Sequence, residues 1–139
     1  MANSEQREQA NQWCFGCGRQ NPIGLKLEFT EENDLYSTKF TAGPEHQSYD
    51  GIVHGGIVST VLDEITTRYL YSKGHNVVTA RLEVRFRKPT PIGVELTATS
   101  QIISHRRNIY EMEGIIKLPN GTVTAEAKAT VAVVNGGQA

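Results

Sequence analysis

The sequence predicts an α+β fold in which one long central helix is wrapped by a curved antiparallel sheet of five to six strands. Two observations predict it. Apolar residues recur at helical spacing over one long stretch, from Ile57 to Tyr71. Most other apolar residues alternate with polar ones, which is typical of strands with one buried face. One apolar helix beside one apolar sheet face indicates two layers around a single core.

The predicted elements follow one another in a simple order. Leu25, Leu27 and Phe29 begin a first strand, and a turn at Asn33-Asp34 leads into a second strand over 35–41. The helix is entered through two glycines and ends near Gly74, where glycine suits a C-terminal cap. Long strands are predicted over 78–87, 94–105, 108–118 and 122–134. The apolar face of the strand at 78–87 is predicted to comprise Val78, Ala80, Leu82, Val84 and Phe86.

Length and charge limit the function classes. The 139 residues fit one domain over 13–134, with a polar tail at 1–12 and a short tail at 135–139. A net charge of −1 argues against nucleic-acid binding, which needs a surplus of cations. No apolar run is long enough to cross a bilayer, and residues 1–12 lack the apolar core of a signal peptide. We therefore expect a cytoplasmic protein without membrane partners.

Cys14 and Cys17 are the only cysteines. Their C-x2-C spacing is half of a zinc site, but a structural zinc site takes four ligands and the sequence has no second pair. The histidines are scattered along the chain. We therefore expect no metal and no cofactor, and we interpret the pair as a turn that packs against the helix, with a redox pair as the alternative.

The start of the helix carries the candidate chemistry. Gly55 and Gly56 let a ligand approach the backbone, and the free N–H groups of a first helical turn form a site for an anion or a developing oxyanion. Asp63 lies in mid-helix within an apolar, Thr-rich stretch. Each feature alone is more often structural. Together with His54, they predict an acyl-transfer site.

These residues resemble a known family. His54-Gly55-Gly56 followed by Asp63 resembles the H-G-G-x6-D signature of hotdog-fold thioesterases, of the phenylacetate-pathway and four-hydroxybenzoyl-CoA type. Cys14-Phe15-Gly16-Cys17-Gly18, with Asn21 and Gly24-Leu25, is similar to a lead-in segment of many members. The resemblance covers residues 13–134. It implies hydrolysis of an acyl-coenzyme A thioester at two equivalent sites on a dimer interface.

The resemblance also implies roles for single residues. Asp63 is the carboxylate that attacks the thioester or activates a water, and Glu64 is a less favoured substitute. The Gly55 N–H polarises the thioester carbonyl, His54 helps to orient the substrate, and Thr79 positions the nucleophilic water. The sequence departs from the pattern at Ser48, where related enzymes often carry an asparagine.

Further residues are expected to bind the substrate. Gln47 could supply the amide that Ser48 lacks. Basic residues near the end of one strand and at the next turn are reasonable contacts for the phosphates of coenzyme A, although each alone is more often part of a solvated face. The full predicted binding set is Gly56, Ser48, Gln47, Arg85, Arg87, Lys88 and Arg106.

Helix geometry predicts an oligomer independently of the resemblance. Gly55 and Asp63 are eight residues apart, which is about 12 Å along a helix. One thioester carbon cannot contact both, so the two groups must come from different subunits. We expect a homodimer or a dimer of dimers. Two other functions keep the fold: a dehydratase or hydratase of acyl thioesters, and a non-catalytic acyl-CoA binding module.

Overall fold

The computed structural model of the chain describes residues 4–134. Two helices, a short 3-10 turn at Pro44–His46 and six strands follow in sequence order. They are α1 (Ser4–Gln9), β1 (Phe29–Glu32), β2 (Leu35–Thr41), α2 (Gly55–Ser72), β3 (Val77–Phe86), β4 (Glu95–Arg106), β5 (Ile109–Lys117) and β6 (Val123–Val133). Within these residues, no helix is both long enough and apolar enough to cross a membrane.

The six strands form one antiparallel sheet in the order β1-β2-β4-β5-β6-β3. The long helix α2 packs on one face of this sheet, as the sequence predicts for a hotdog fold. Strands β1 and β3 stand at the two edges, and in the described part of the chain their outer sides pair with no further strand. The sheet therefore presents two edges that a second copy could extend.

The core lies between α2 and the sheet. Gly114 of β5 is a point of close approach, because a Cβ there would lie 3.2 Å from Thr66 Cγ2 and 3.3 Å from Ile65 Cγ2. Ser100 donates a hydrogen bond of 2.5 Å to the Ile65 carbonyl. Small side chains on the sheet thus let the helix backbone come near. The buried helix residues are Val58, Val61, Leu62, Ile65, Thr66, Tyr69 and Leu70.

Strand β3 differs from its predicted alternation. Its pairing with β6 shifts register between Thr79 and Arg81, so Ala80 has no partner in the ladder. Such a bulge reverses the faces on one side of the extra residue. Val78 is therefore exposed, whereas Val77 packs on the core together with Leu82. The prediction that Val78 and Ala80 face the core is wrong, and the change turns Thr79 towards α2.

The first strand is shorter than predicted. Residues 25–28 lie outside β1, which begins at Phe29, because Lys26 adopts a φ of 53° that an extended strand does not accommodate. Instead, the Leu25 and Leu27 N–H groups donate to the carbonyls of Phe15 and Gly16. The two ends of the segment 13–27 are therefore hydrogen-bonded to each other. Its cysteines contact α2.

Of the two predicted tails, the N-terminal one falls within the described residues from position 4 onwards. Residues 4–9 of the N-terminal one form α1, and Arg7 donates hydrogen bonds of 2.7 and 2.9 Å to the carbonyls of Tyr71 and His75. The guanidinium of Arg7 also lies 3.8 Å from the centroid of the Tyr71 ring. These contacts place α1 beside the C-terminal end of α2. The predicted C-terminal tail at 135–139 lies outside the described residues.

Candidate active site

Asp63 and Thr79 meet between α2 and β3. The Thr79 hydroxyl donates a hydrogen bond of 2.6 Å to Asp63 Oδ1. Both residues are half-buried. Asp63 Oδ2 has no hydrogen-bond partner among residues 4–134. The contact therefore fixes the orientation of the carboxylate and leaves one oxygen free for a water or a substrate.

The N-terminus of α2 offers one free donor. Gly56 N–H donates to the Nδ1 of the preceding His54 at 2.9 Å, and the N–H groups of Ile57 and Val58 donate to the His54 carbonyl. In the described residues, the Gly55 N–H is the donor of this turn that has no acceptor. The sequence predicted several free N–H groups in the first turn of the helix. In the structure, the N–H of Gly55 is the one of these that remains free.

His54 acts here as the cap of the helix. Since its Nδ1 accepts the Gly56 hydrogen, the neutral ring carries its proton on Nε2. The side chain is exposed, so Nε2–H can donate to a bound molecule. Phe86, at the end of β3, lies over the same turn, and a Cβ on Gly55 would be 3.4 Å from its ring. Phe86 is 55% exposed and forms an apolar wall beside the donor.

The loop before the helix holds Gln47 and Ser48. Gln47 Oε1 accepts a hydrogen bond of 2.9 Å from Gly51 N–H, and Gln47 pairs with Val53 in a short bridge. Ser48 is exposed, and its backbone N–H donates to the Ile52 carbonyl. The side-chain oxygen of Gln47 therefore already accepts a hydrogen bond that stabilises the loop. No hydrogen bond or ion pair joins Gln47 or Ser48 to Asp63 among the described residues.

The predicted basic residues fall into two groups. Arg85 and Arg87 line an open cavity of about 280 Å³ whose walls also hold three carboxylates, and Arg87 pairs with Glu126 at 2.6 Å. This pair holds the pKa of the Glu126 carboxyl below its ordinary value. Lys88 is exposed just beyond β3. Arg106 lies at the opposite end of the sheet, in a cavity of about 520 Å³ that Arg107 also lines. One chain does not bring the two groups together.

A second cluster lies beside the candidate site. The prediction that the cysteine turn packs against the helix is confirmed, but the contact with Glu64 was not predicted. Cys14 and Cys17 approach Glu64, which follows Asp63 on α2, and Cys14 Sγ lies 3.5 Å from Glu64 Oε1. Burial raises the pKa of the Glu64 carboxyl, and it also raises the pKa of the Cys17 thiol. Glu64 thus faces the cysteines. The 50 residues between Cys14 and Glu64 left no local signal for this contact.

A family model decides the relationship to known proteins. The model of the thioesterase superfamily matches residues 50–125, which contain α2 with its Asp63 and the strand that carries Thr79. The chain belongs to the thioesterase superfamily. The expected hotdog architecture and the predicted family are both confirmed.

Other members of the superfamily resemble the chain over different lengths. The acyl-coenzyme A thioesterase THEM4 of Bos taurus is 29% identical over 90 residues, which are 63% of this chain and 37% of that protein. A solved thioesterase superfamily protein has a TM-score of 0.81 at 22% identity, and the match covers 87% of this chain and 60% of the other. The chain thus spans less than two thirds of the length of each of these proteins, at 37% and 60%.

A smaller thioesterase matches over most of its own length. This hypothetical thioesterase of Streptococcus pneumoniae TIGR4, solved with coenzyme A, has a TM-score of 0.72 at 22% identity over 78% of this chain and 85% of its own. Two further structures of that protein each carry one alanine substitution. One replaces an aspartate, and the other replaces a threonine 16 positions later in the chain.

Proposed function

We propose that the chain hydrolyses an acyl-coenzyme A thioester to a free acid and coenzyme A. The hydrogen bond between Thr79 and Asp63 is the observation that carries this proposal. A carboxylate held by one oxygen, with its other oxygen free, suits a general base or a nucleophile. A thioester is already activated, so this group and one oxyanion donor can suffice without a serine triad.

The proposed reaction needs two groups. The Asp63 carboxylate activates a water or attacks the carbonyl carbon directly, while the Gly55 N–H stabilises the negative charge that develops on the carbonyl oxygen. The C–S bond then breaks. If Asp63 activates a water, the departing sulfur takes the proton that Asp63 removed from that water, and the acyl group leaves as the free acid. If Asp63 attacks directly, the acyl group stays on Asp63 as a mixed anhydride until a water hydrolyses it, and that water supplies the proton of the thiol. The net reaction consumes one water for each thioester.

The two groups act from different subunits in this proposal. They are separated by eight residues on α2, or about 12 Å. The free edge of β3 supports a dimer, because Val78 and Phe86 on this strand are 38% and 55% exposed. Pairing two such edges would bury these side chains and bring two α2 helices side by side. A homodimer, or a dimer of dimers, is therefore part of the proposal, as is a cytoplasmic location.

The comparisons support the substrate class. One similar thioesterase has been solved with coenzyme A, and one relative is named as an acyl-coenzyme A thioesterase. The aspartate and threonine replaced in the Streptococcus pneumoniae protein have the same spacing of 16 residues as Asp63 and Thr79. We infer that this pair has the same importance here.

The binding of coenzyme A is assigned to the remaining predicted residues. The phosphates of coenzyme A would contact one of the two groups of basic residues. These are Arg85, Arg87 and Lys88 at the end of β3, or Arg106 at the opposite end of the sheet. Gly56 and the 47–48 loop would border the pantetheine end, because they adjoin the oxyanion donor.

A panel of acyl-CoA substrates tests the proposal. Aryl, short-chain and medium-chain esters are mixed with the protein, and the release of free thiol is followed. Thiol release from at least one ester is expected. Addition of water to an enoyl-CoA, or loss of water from a hydroxyacyl-CoA, without thiol release would favour the hypothesis of a hydratase or dehydratase. Binding of these esters without any reaction would favour the binding module and contradict the proposal.

A further inference from the structure

We propose that Cys14, Cys17 and Glu64 form a binding site for a thiophilic divalent cation, with zinc as the preferred ion. One ligand atom of each residue lies within 4.8 Å of the other two. The sequence offered two ligands and no third. The fold supplies the third from α2.

The turn that carries the cysteines is built to approach the helix. Cys14 N–H donates to the Asn11 carbonyl, and Gly18 N–H donates to the Cys14 carbonyl at 2.8 Å, so the chain reverses within the C-x2-C segment. Gly16 lies against Glu64, and a Cβ at this position would overlap the glutamate side chain. Glycine therefore lets the turn bring both thiols to the carboxylate.

The distances suit a tetrahedral ion. With zinc bonds of about 2.3 Å to sulfur and about 2.0 Å to oxygen, a sulfur and an oxygen on one tetrahedral edge lie about 3.5 Å apart. Cys14 Sγ and Glu64 Oε1 are separated by 3.5 Å. This pair of ligand atoms therefore already has the separation that a shared ion requires, and Cys17 Sγ lies within 4.8 Å of Cys14 Sγ and of a Glu64 carboxylate oxygen.

The charges around the cluster also favour a cation. All three side chains are acids and are half-buried, and Glu64 Oε2 is buried without a hydrogen-bond partner in the described structure. A buried carboxylate oxygen without a partner is costly. Arg68 is a nearby cation, but it does not satisfy this oxygen, because the Arg68 Nε is itself buried without a hydrogen-bond partner in the described structure. A divalent ion would neutralise the thiolates and complete the contacts of Glu64.

The fourth ligand position faces a cavity. The cluster borders an open space of about 360 Å³, whose walls include Trp13, Thr67, Tyr71 and Val77. A water in this space would complete the tetrahedron. The ion would then fasten the segment 13–27 to α2 one residue from Asp63. Its role would be structural, because it would hold this segment against the helix that carries the proposed catalytic carboxylate.

Metal analysis of the protein tests this inference without relying on activity. The protein is purified under reducing conditions, incubated with zinc, desalted and analysed for bound zinc. About one zinc per chain is expected. Replacement by cobalt should give the visible bands of a tetrahedral ion and a thiolate-to-cobalt charge-transfer band.

Three variants and a control identify the ligands. Cys14→Ser and Cys17→Ser should lose the charge-transfer band in part or in full and weaken zinc binding by more than the ~10–100-fold that changes outside the ligand set produce. Glu64→Gln should weaken binding while the charge-transfer band remains. Glu111→Gln, which changes an exposed carboxylate on β5, should bind like the wild type.

A folding control accompanies these variants. The wild type is stripped with a chelator and titrated again with zinc, and its thermal unfolding is followed in both states. A rise in Tm on adding zinc is expected, and it should be absent in Cys14→Ser. Wild-type protein that stays folded and reduced but binds no zinc would overturn the inference. So would zinc that both cysteine variants retain, or a Cys14–Cys17 disulfide that forms in the presence of zinc.

Discussion

The Thr79 hydroxyl contacts Asp63 Oδ1 at 2.6 Å, and this bond depends on the bulge at Ala80. A regular strand would direct Thr79 away from the helix. The bulge reverses the faces at this point and aims the hydroxyl at α2. A backbone irregularity on an edge strand thereby orients the carboxylate of the proposed reaction.

Thr79→Val should lower kcat by about 10–100-fold. A hydrogen bond to a charged group contributes about 1.5–3 kcal/mol, and each 1.36 kcal/mol is a factor of ten. Thr79→Ser keeps the hydroxyl and should retain most of the rate. Thr130→Val removes a hydroxyl that bonds to Glu111 at 3.0 Å on the outer face, so it serves as the matched control. Equal steady-state rates for Thr79→Val and Thr130→Val would contradict the assigned role.

Gly55→Pro should abolish the oxyanion donor without removing the helix. Proline is well tolerated at the first helical position, and the backbone of His54, with φ −56° and ψ 134°, already suits a residue before proline. Loss of an oxyanion donor costs about 100–1000-fold in kcat. Gly55→Ala keeps the N–H, and its Cβ would make an ordinary contact with Phe86 at 3.4 Å. Circular dichroism checks that the helix persists. A proline variant as fast as the alanine variant would exclude Gly55 as the donor.

Gly114→Ala should destabilise the fold by about 1–3 kcal/mol. An alanine in a strand is ordinarily better than glycine, but the added Cβ would lie 3.2 Å from Thr66 Cγ2. Urea unfolding measures the change in free energy. Thr66→Ser removes that methyl group and keeps the hydroxyl that bonds to the Leu62 carbonyl, so the double variant should recover part of the loss. A stabilised Gly114→Ala protein would show that the helix does not pack this closely.

Alkaline pH should weaken the fold through Tyr36. Burial raises the pKa of its phenol from 10.0 to about 12. Above pH 10 the unfolded chain loses this proton while the folded chain keeps it, so the unfolding free energy falls as the pH rises from 10 to about 12. Tyr36→Phe should reduce this slope in urea unfolding across that range. Tyr49→Phe, at a side chain that is 82% exposed, should leave the slope unchanged.

Much of the fold could be predicted from local sequence signals. The Asn33-Asp34 turn has positive φ at both residues, and Gly74 follows α2 with a φ of 97°, as their residue types indicate. The Ala80 bulge could not be predicted, because neither glycine nor proline marks it. In the candidate site too, some features follow from local sequence and others do not. The spacing of Gly55 and Asp63 follows from one helix, whereas the approach of Cys14 to Glu64 arises only when the segment 13–27 folds back on α2.

Thiol release from acyl-CoA esters by the wild type and by Asp63→Asn tests the central claim most directly. The variant keeps the size of the side chain and an oxygen for Thr79, but it lacks the carboxylate. We predict that it loses nearly all turnover and still binds the best ester with an affinity close to that of the wild type. A variant that hydrolyses this ester at the wild-type rate would contradict the assignment of Asp63 as the catalytic carboxylate.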